Sequence, residues 1–169
     1  MRRYIDIIME SVHDIEHGEA LDKTGFWGKA GAGCVFVARS TGRLLLCHRS
    51  MAVEQPGTWG NWGGAIDPGE SPQAAVQREA HEETGHPGPF ESIPLYVFNS
   101  GSFTYYNFLV VVDEEFRPAP NWESQGHRWC EWGQWPQPLH FGLQSLFKDP
   151  ESVRKIQTEI AENAEQWKK

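Results

Sequence analysis

Apolar residues fall along this chain in two distinct periods. Residues Cys34 to Ala38, CVFVA, read as a strand, Thr41-Gly42 as a turn, and Leu44 to Cys47 as the returning strand of a hairpin. A second hairpin is expected from Ile93 to Phe98 and Phe103 to Val112, joined by Asn99-Ser100-Gly101-Ser102, with a further strand at Arg128 to Trp132. Between these segments the period changes. Ser71 can cap a helix whose first turn holds Pro72. Ala74, Ala75, Val76 and Ala80 supply a small-residue face, and Gly85 with Pro87 ends it, which predicts a helix from Pro72 to Thr84. Leu139 to Phe147 and Glu151 to Trp167 also read as helices. In the latter, Val153, Ile156, Ile160, Ala164 and Trp167 form one apolar stripe. Ser50 to Ile66 reads as a long loop with a short strand near Gly63-Gly64, and Gly18 to Gly33 as loop. Tyr4 to Val12 fits an edge strand or a short helix equally well. With no internal repeat and no low-complexity linker, one α/β domain over residues 1–169 is the simple reading.

Composition narrows the function classes. The chain is 39% hydrophobic and 12% aromatic, so it should bury a core, and eight tryptophans are expected to line that core or a cleft. A net charge of −8 argues against a nucleic acid polymer as partner, since that affinity rests on Lys and Arg. A small anionic substrate stays open if cations accompany it. Cys34, Cys47 and Cys130 make neither a disulfide framework nor a CxxC metal site, which suits a reducing cytoplasm. Neither a secretory signal nor a membrane-spanning run is seen, so no membrane is expected.

The charged residues change the picture most. On the predicted helix Glu79, Glu82, Glu83 and His86 share one face, and Glu82 and Glu83 lie at the end that disfavours anions. Two such charges about 6 Å apart repel by roughly 3 kcal/mol at an effective dielectric of about 20. A solvated acidic face is the ordinary explanation of a charge run. Here the acids crowd behind a tight Gly-Gly loop, and a hard divalent cation, Mg2+ or Mn2+, would relieve the repulsion.

From Gly64 the segment reads G-x5-E-x7-R-E-U-x-E-E-x-G-U, where U is apolar, with Gly64, Glu70, Arg78, Glu79, Glu82, Glu83 and Gly85 in place. This resembles the Nudix box, the signature of the Nudix hydrolase family. The departures are His86 at the last apolar position, a small Ala80 at the other, and Trp62 where many members have proline. The resemblance implies an α/β/α sandwich with a mixed β-sheet and a catalytic loop-helix-loop. Its core would span about residues 31–147, between an N-terminal extension (1–30) and a C-terminal helix (about 151–167). It implies metal-dependent hydrolysis of a phosphoanhydride in a nucleoside diphosphate linked to another moiety: a dinucleoside polyphosphate, a nucleotide sugar or ADP-ribose, or a modified nucleoside triphosphate. Glu79, Glu82 and Glu83 would hold the metal, with the Gly64 carbonyl and Glu70 in support, and Arg78 would orient the carboxylates. A carboxylate would take the proton from water, Glu79 first and Glu123 second. A non-catalytic nucleotide-binding or regulatory module on the same fold is the alternative.

Substrate contacts lie outside the box. Trp59, Trp62, Tyr105, Tyr106 and Trp122 are candidates to stack a base, and Arg49 to meet a phosphate; core packing is the competing role for each aromatic. Tyr105-Tyr106 leans mildly toward dinucleoside polyphosphates. A homodimer through the N-terminal segment is one assembly open to the chain. His13-Asp14-Ile15-Glu16-His17 resembles a zinc-protease helix, but Asp stands in the glutamate's place, Gly18 follows at once and no third ligand is evident.

Overall fold

A computed structural model describes residues 30–166. The expectations for Tyr4 to Val12, for the His13–His17 motif and for a dimer through the N-terminal segment lie outside them. Among the described residues there are seven strands: β1 Ala30–Ala38, β2 Leu44–Arg49, β3 Trp59–Gly60, β4 Trp62–Ala65, β5 Glu91–Ser100, β6 Phe103–Val112 and β7 Ser124–Cys130. The helices are α1 Pro72–Thr84, α2 Phe141–Lys148 and α3 Pro150–Gln166.

The sheet is mixed. β1 runs parallel to β6 along its whole length, from Ala30 opposite Thr104 to Ala38 opposite Val112. Its other edge is shared: the first half pairs with β4 and the second with β2, both antiparallel. Strand alternation then sorts the side chains. Ala32, Cys34, Phe36, Phe108 and Val110 face α1, where they bury Ala75, Val76 and Ala80. Val35, Val37, Leu109 and Val111 face α2 and α3, against Leu143, Leu146 and Ile156. This is the α/β/α sandwich that the resemblance implied.

Both predicted hairpins form. Helix α1 spans the predicted residues, with the Ser71 hydroxyl accepting from the Ala74 N–H and Gly85 in the left-handed region at φ 72°. Three segments differ. Ala30–Gly33, read as loop, is strand, because its glycines let β1 lie between β6 and β4. Ser50 to Ile66 holds two short strands rather than one. The last strand ends at Cys130 and begins at Ser124, which puts Glu123 directly at its start. Cys34, Cys47 and Cys130 are buried free thiols.

Candidate active site

The Gly63-Gly64 pair explains itself in this packing. A Cβ on Gly63 would stand 2.3 Å from the Ala32 carbonyl oxygen and 2.7 Å from the Tyr105 hydroxyl. One on Gly64 would stand 2.7 Å from Glu79 Oε1. The backbone therefore passes between a tyrosine on one side and α1 carboxylates on the other: a side chain at Gly63 would meet backbone, and one at Gly64 the Glu79 carboxylate.

Two groups of acids gather at α1, each joining helix residues to one from outside it. Arg78 gathers the first. It donates to both Glu70 oxygens at 3.0 and 2.9 Å, to Glu79 Oε1 at 2.6 Å, to Glu82 Oε2 at 3.3 Å and to the Ala65 carbonyl at 3.0 Å. The guanidinium holds the Glu70 carboxyl below its ordinary range. So a large part of the repulsion inferred from the sequence is balanced within the chain by Arg78, whose fork suits several carboxylates at once.

Glu83 leads the second group. It is buried, and its Oε2 accepts the Gly63 N–H at 2.6 Å. Burial, then Glu123, then Glu79 push its carboxyl well above the ordinary range. Glu123 hydrogen-bonds Glu83 and is itself pushed up by burial, against the pull of Arg49. Glu79 is raised chiefly by burial, with Arg78 opposing. Glu123 reaches this place through strand pairing: its carbonyl accepts the Ser50 N–H at 2.8 Å and its N–H donates to Asn121 Oδ1 at 2.9 Å, where β7 pairs with the end of β2. Glu82 is exposed on the rim. Among the described residues, no three His, Cys, Asp or Glu groups already stand as a metal-holding set.

On the other side of Gly63 lies a chamber lined by Arg49, Asn61, Phe98, Tyr105, Asn107 and Phe141, among others. Of the sequence candidates for substrate contact, Arg49 and Tyr105 are here. Four others are not. Trp62 is fully buried with its indole N–H 3.3 Å from the Leu45 carbonyl, so it is core and not pocket floor. Tyr106, one residue on from Tyr105, points to the opposite face and packs on the α1-side core. Trp59 stacks on His48 at 4.4 Å and packs against the other core layer. Trp122 is 61% exposed. The sequence reading overlooked Asn61, Asn107, Phe98 and Phe141. A signal was present: Phe103, Tyr105 and Asn107 alternate along β6, and an asparagine on an otherwise apolar buried face is conspicuous.

Comparisons with known proteins agree with this geometry. The NUDIX domain model matches residues 28–149. A Mycobacterium tuberculosis protein provisionally named 8-oxo-dGTP diphosphatase 3 is 30% identical over 130 residues, covering 70% of this chain and 60% of that protein. The chain thus spans 60%, less than two thirds, of that relative's length. The crystal structure of a Nudix hydrolase from M. smegmatis, RenU, has a TM-score of 0.63 at 30% identity, covering 77% of this chain and 88% of that one. A C. elegans Ap4A hydrolase shares the fold at a TM-score of 0.57 and 22% identity, over 78% of this chain and 98% of that one. A family model over most of the chain, on a sheet and helix that carry the expected acids, establishes that this chain belongs to the Nudix hydrolase family.

Proposed function

We propose that the chain hydrolyses a phosphoanhydride bond in a nucleoside diphosphate linked to another moiety, using a divalent cation, Mg2+ or Mn2+. One observation carries the reading. Glu79 and Glu83 from α1 and Glu123 from before β7 are within electrostatic reach of one another beside Gly63-Gly64, next to a chamber that Arg49 lines.

The donor set fits a hard cation. Glu83 is a buried carboxylate disfavoured in its ionised form by desolvation and by Glu123 and Glu79, with Arg49 acting against them, and a cation would offset that cost further. Glu79, Glu82 and Glu83 would hold it, with the Gly64 carbonyl, while Glu70 acts through Arg78. When bound, such an ion neutralises pyrophosphate oxygens and acidifies water. The remaining work belongs to the chain. Arg78 fixes Glu70 and Glu79 in place. Arg49 reaches toward both the chamber and the Glu83–Glu123 pair, where a phosphate joined to a chamber-bound group would arrive. A carboxylate oxygen of Glu79, or else of Glu123, accepts the proton from the attacking water. Burial raises both carboxyls, which makes each a stronger proton acceptor than an exposed carboxylate.

A phosphate-release screen over dinucleoside polyphosphates, nucleotide sugars and modified triphosphates, with Mg2+ and Mn2+, tests the reading. Turnover of at least one class, abolished by chelator, is expected. Nucleotide binding without turnover would instead favour a regulatory module.

A further inference from the structure

We infer that Asn121 and the β-bulge at Gln125 form a positioning device for Glu123, carrying its carboxylate from an irregular segment to the acids of α1. The inference rests on the hydrolytic reading above and extends it to two residues far outside the box.

Glu123 needs such a device. It follows a stretch, Asp113 to Asn121, that belongs to no strand or helix. Two residues of that stretch, Pro118 and Pro120, have no N–H to give a ladder. The Glu123 side chain is brought against Glu83 and within electrostatic reach of Glu79, both of like charge, and Arg49 offsets part of that repulsion. On an unheld loop the charged group would turn to water.

The chain is held on both sides of it. Upstream, the Ala119 N–H donates to the carbonyl of Thr84, the residue after Glu83, at 2.8 Å, which ties the approach to the end of α1. Asn121 then makes a turn: its Oδ1 accepts the Glu123 N–H at 2.9 Å and its carbonyl accepts the Ser124 N–H at 3.3 Å. An asparagine oxygen that accepts from the backbone two residues on closes a tight turn. Downstream, His48 and Arg49 are consecutive, yet they pair with Gly126 and Ser124, so Gln125 is an extra residue in β7. In a regular ladder Arg49 would face Gln125, and Ser50 would face Ser124. The extra residue moves the chain on by one, and the Ser50 N–H meets the Glu123 carbonyl instead, at 2.8 Å. The bulge is closed by its own side chains: Gln125 Nε2 donates to the Arg49 carbonyl at 3.0 Å, and Ser124 Oγ to the Gly126 carbonyl at 2.8 Å. Bulges beside a site re-aim a side chain. Here it is Glu123 that is turned inward, while Trp122 and Gln125 on either side of this short stretch are exposed.

The test is steady-state kinetics, on a substrate found in the phosphate-release screen, of Asn121→Ala, Asn121→Ser and Gln125→Ala. Each is made alone and together with Glu123→Gln, and each is checked by thermal melting. Asn121→Ala and Gln125→Ala should lower kcat about tenfold and leave KM within about twofold, because a misplaced carboxylate loses rate rather than binding. Asn121→Ser keeps a shorter acceptor that closes the same kind of turn and should recover most of the loss. With Glu123→Gln present, neither alanine variant should lower kcat by more than about twofold, since the group they position is already gone. Full kcat in both alanine variants, or equal losses with and without the Glu123 carboxylate, would overturn the proposal. If Asn121→Ala fails to fold, the exposed Gln125→Ala decides. Crystal structures of wild type and Gln125→Ala give a readout that needs no turnover. The Glu123 carboxylate should contact Glu83 in the first and be displaced in the second; the same placement in both would also overturn the proposal. Positioning can thus fail while turnover is found, and hold while none is found, so its failure is separate from that of the hydrolytic reading.

Discussion

The backbone N–H of Gly63 donates to Glu83 Oε2 at 2.6 Å, so a buried carboxylate at the end of a helix is held by the strand beside it. That bond fixes the position of the acid and offsets part of the cost that burial, Glu123 and Glu79 place on its ionised form.

Glu83→Gln should separate function from stability. The folded Glu83 carboxyl is raised above its unfolded value of 4.5, so its contribution to stability is present below that pH and is lost as pH climbs through the folded value. In chelator, wild type should therefore lose thermal stability from pH 4.5 upward, and Glu83→Gln should lose less and melt higher at pH 8. Turnover should fall on the order of a hundredfold or more, as for removal of a key electrostatic group. A variant with ordinary turnover in saturating Mg2+ would remove Glu83 from the site.

The two glycines should fail differently. A Cβ on Gly64 meets only the flexible carboxylate of Glu79, whereas one on Gly63 meets the Ala32 backbone at 2.3 Å. Gly64→Ala should fold with near-normal melting and lose turnover. Gly63→Ala should lose about 2 kcal/mol or more of stability, as overpacking against backbone does. Denaturant melts and a turnover assay on both proteins check this.

Arg78→Lys keeps the charge but not the fork that reaches Glu70, Glu79 and Glu82. Turnover should drop by about tenfold or more through misplaced Glu79, with stability lowered by about 1 kcal/mol or less, since Arg78 is partly exposed. Equal turnover of the Lys variant would show that charge alone suffices.

His86 stands at the box position that is ordinarily apolar. Its ring lies between Phe90 and Phe116, and among the described residues its buried Nδ1 has no hydrogen-bond partner. Burial lowers its pKa from 6.5, so stability is lost as pH falls from 6.5 toward the folded value. His86→Leu should raise stability by about 1 kcal/mol at neutral pH, and more at pH 5, by removing an unsatisfied buried group. A melt series from pH 5 to 8 reads both effects; a variant that is less stable at pH 5 than wild type would refute the account.

Local chemistry made helix α1 legible, because Ser71, Pro72 and Gly85 act on the few residues beside them. The two hairpins were legible for the same reason, their apolar runs being broken by short turns. Ala30–Gly33 was not, since four small residues carry no strand propensity; they are extended because β4 and β6 pair with them on both edges. The spacing of acids on one helix face likewise told that Glu79, Glu82 and Glu83 belong together. It did not tell that Arg78 already balances part of their charge, that Glu82 is left at the rim, or that Glu123 meets Glu83 from a distant strand.

The sequence by itself determined the family, the acid-bearing helix and the strands around it, because periodicity, caps and motif spacing act over a few residues. Tertiary structure alone decided which aromatics are core and which line a chamber. Tyr105 and Tyr106 are neighbours in sequence, yet strand alternation sends them to opposite faces, and only the layers packed on those faces give each its role.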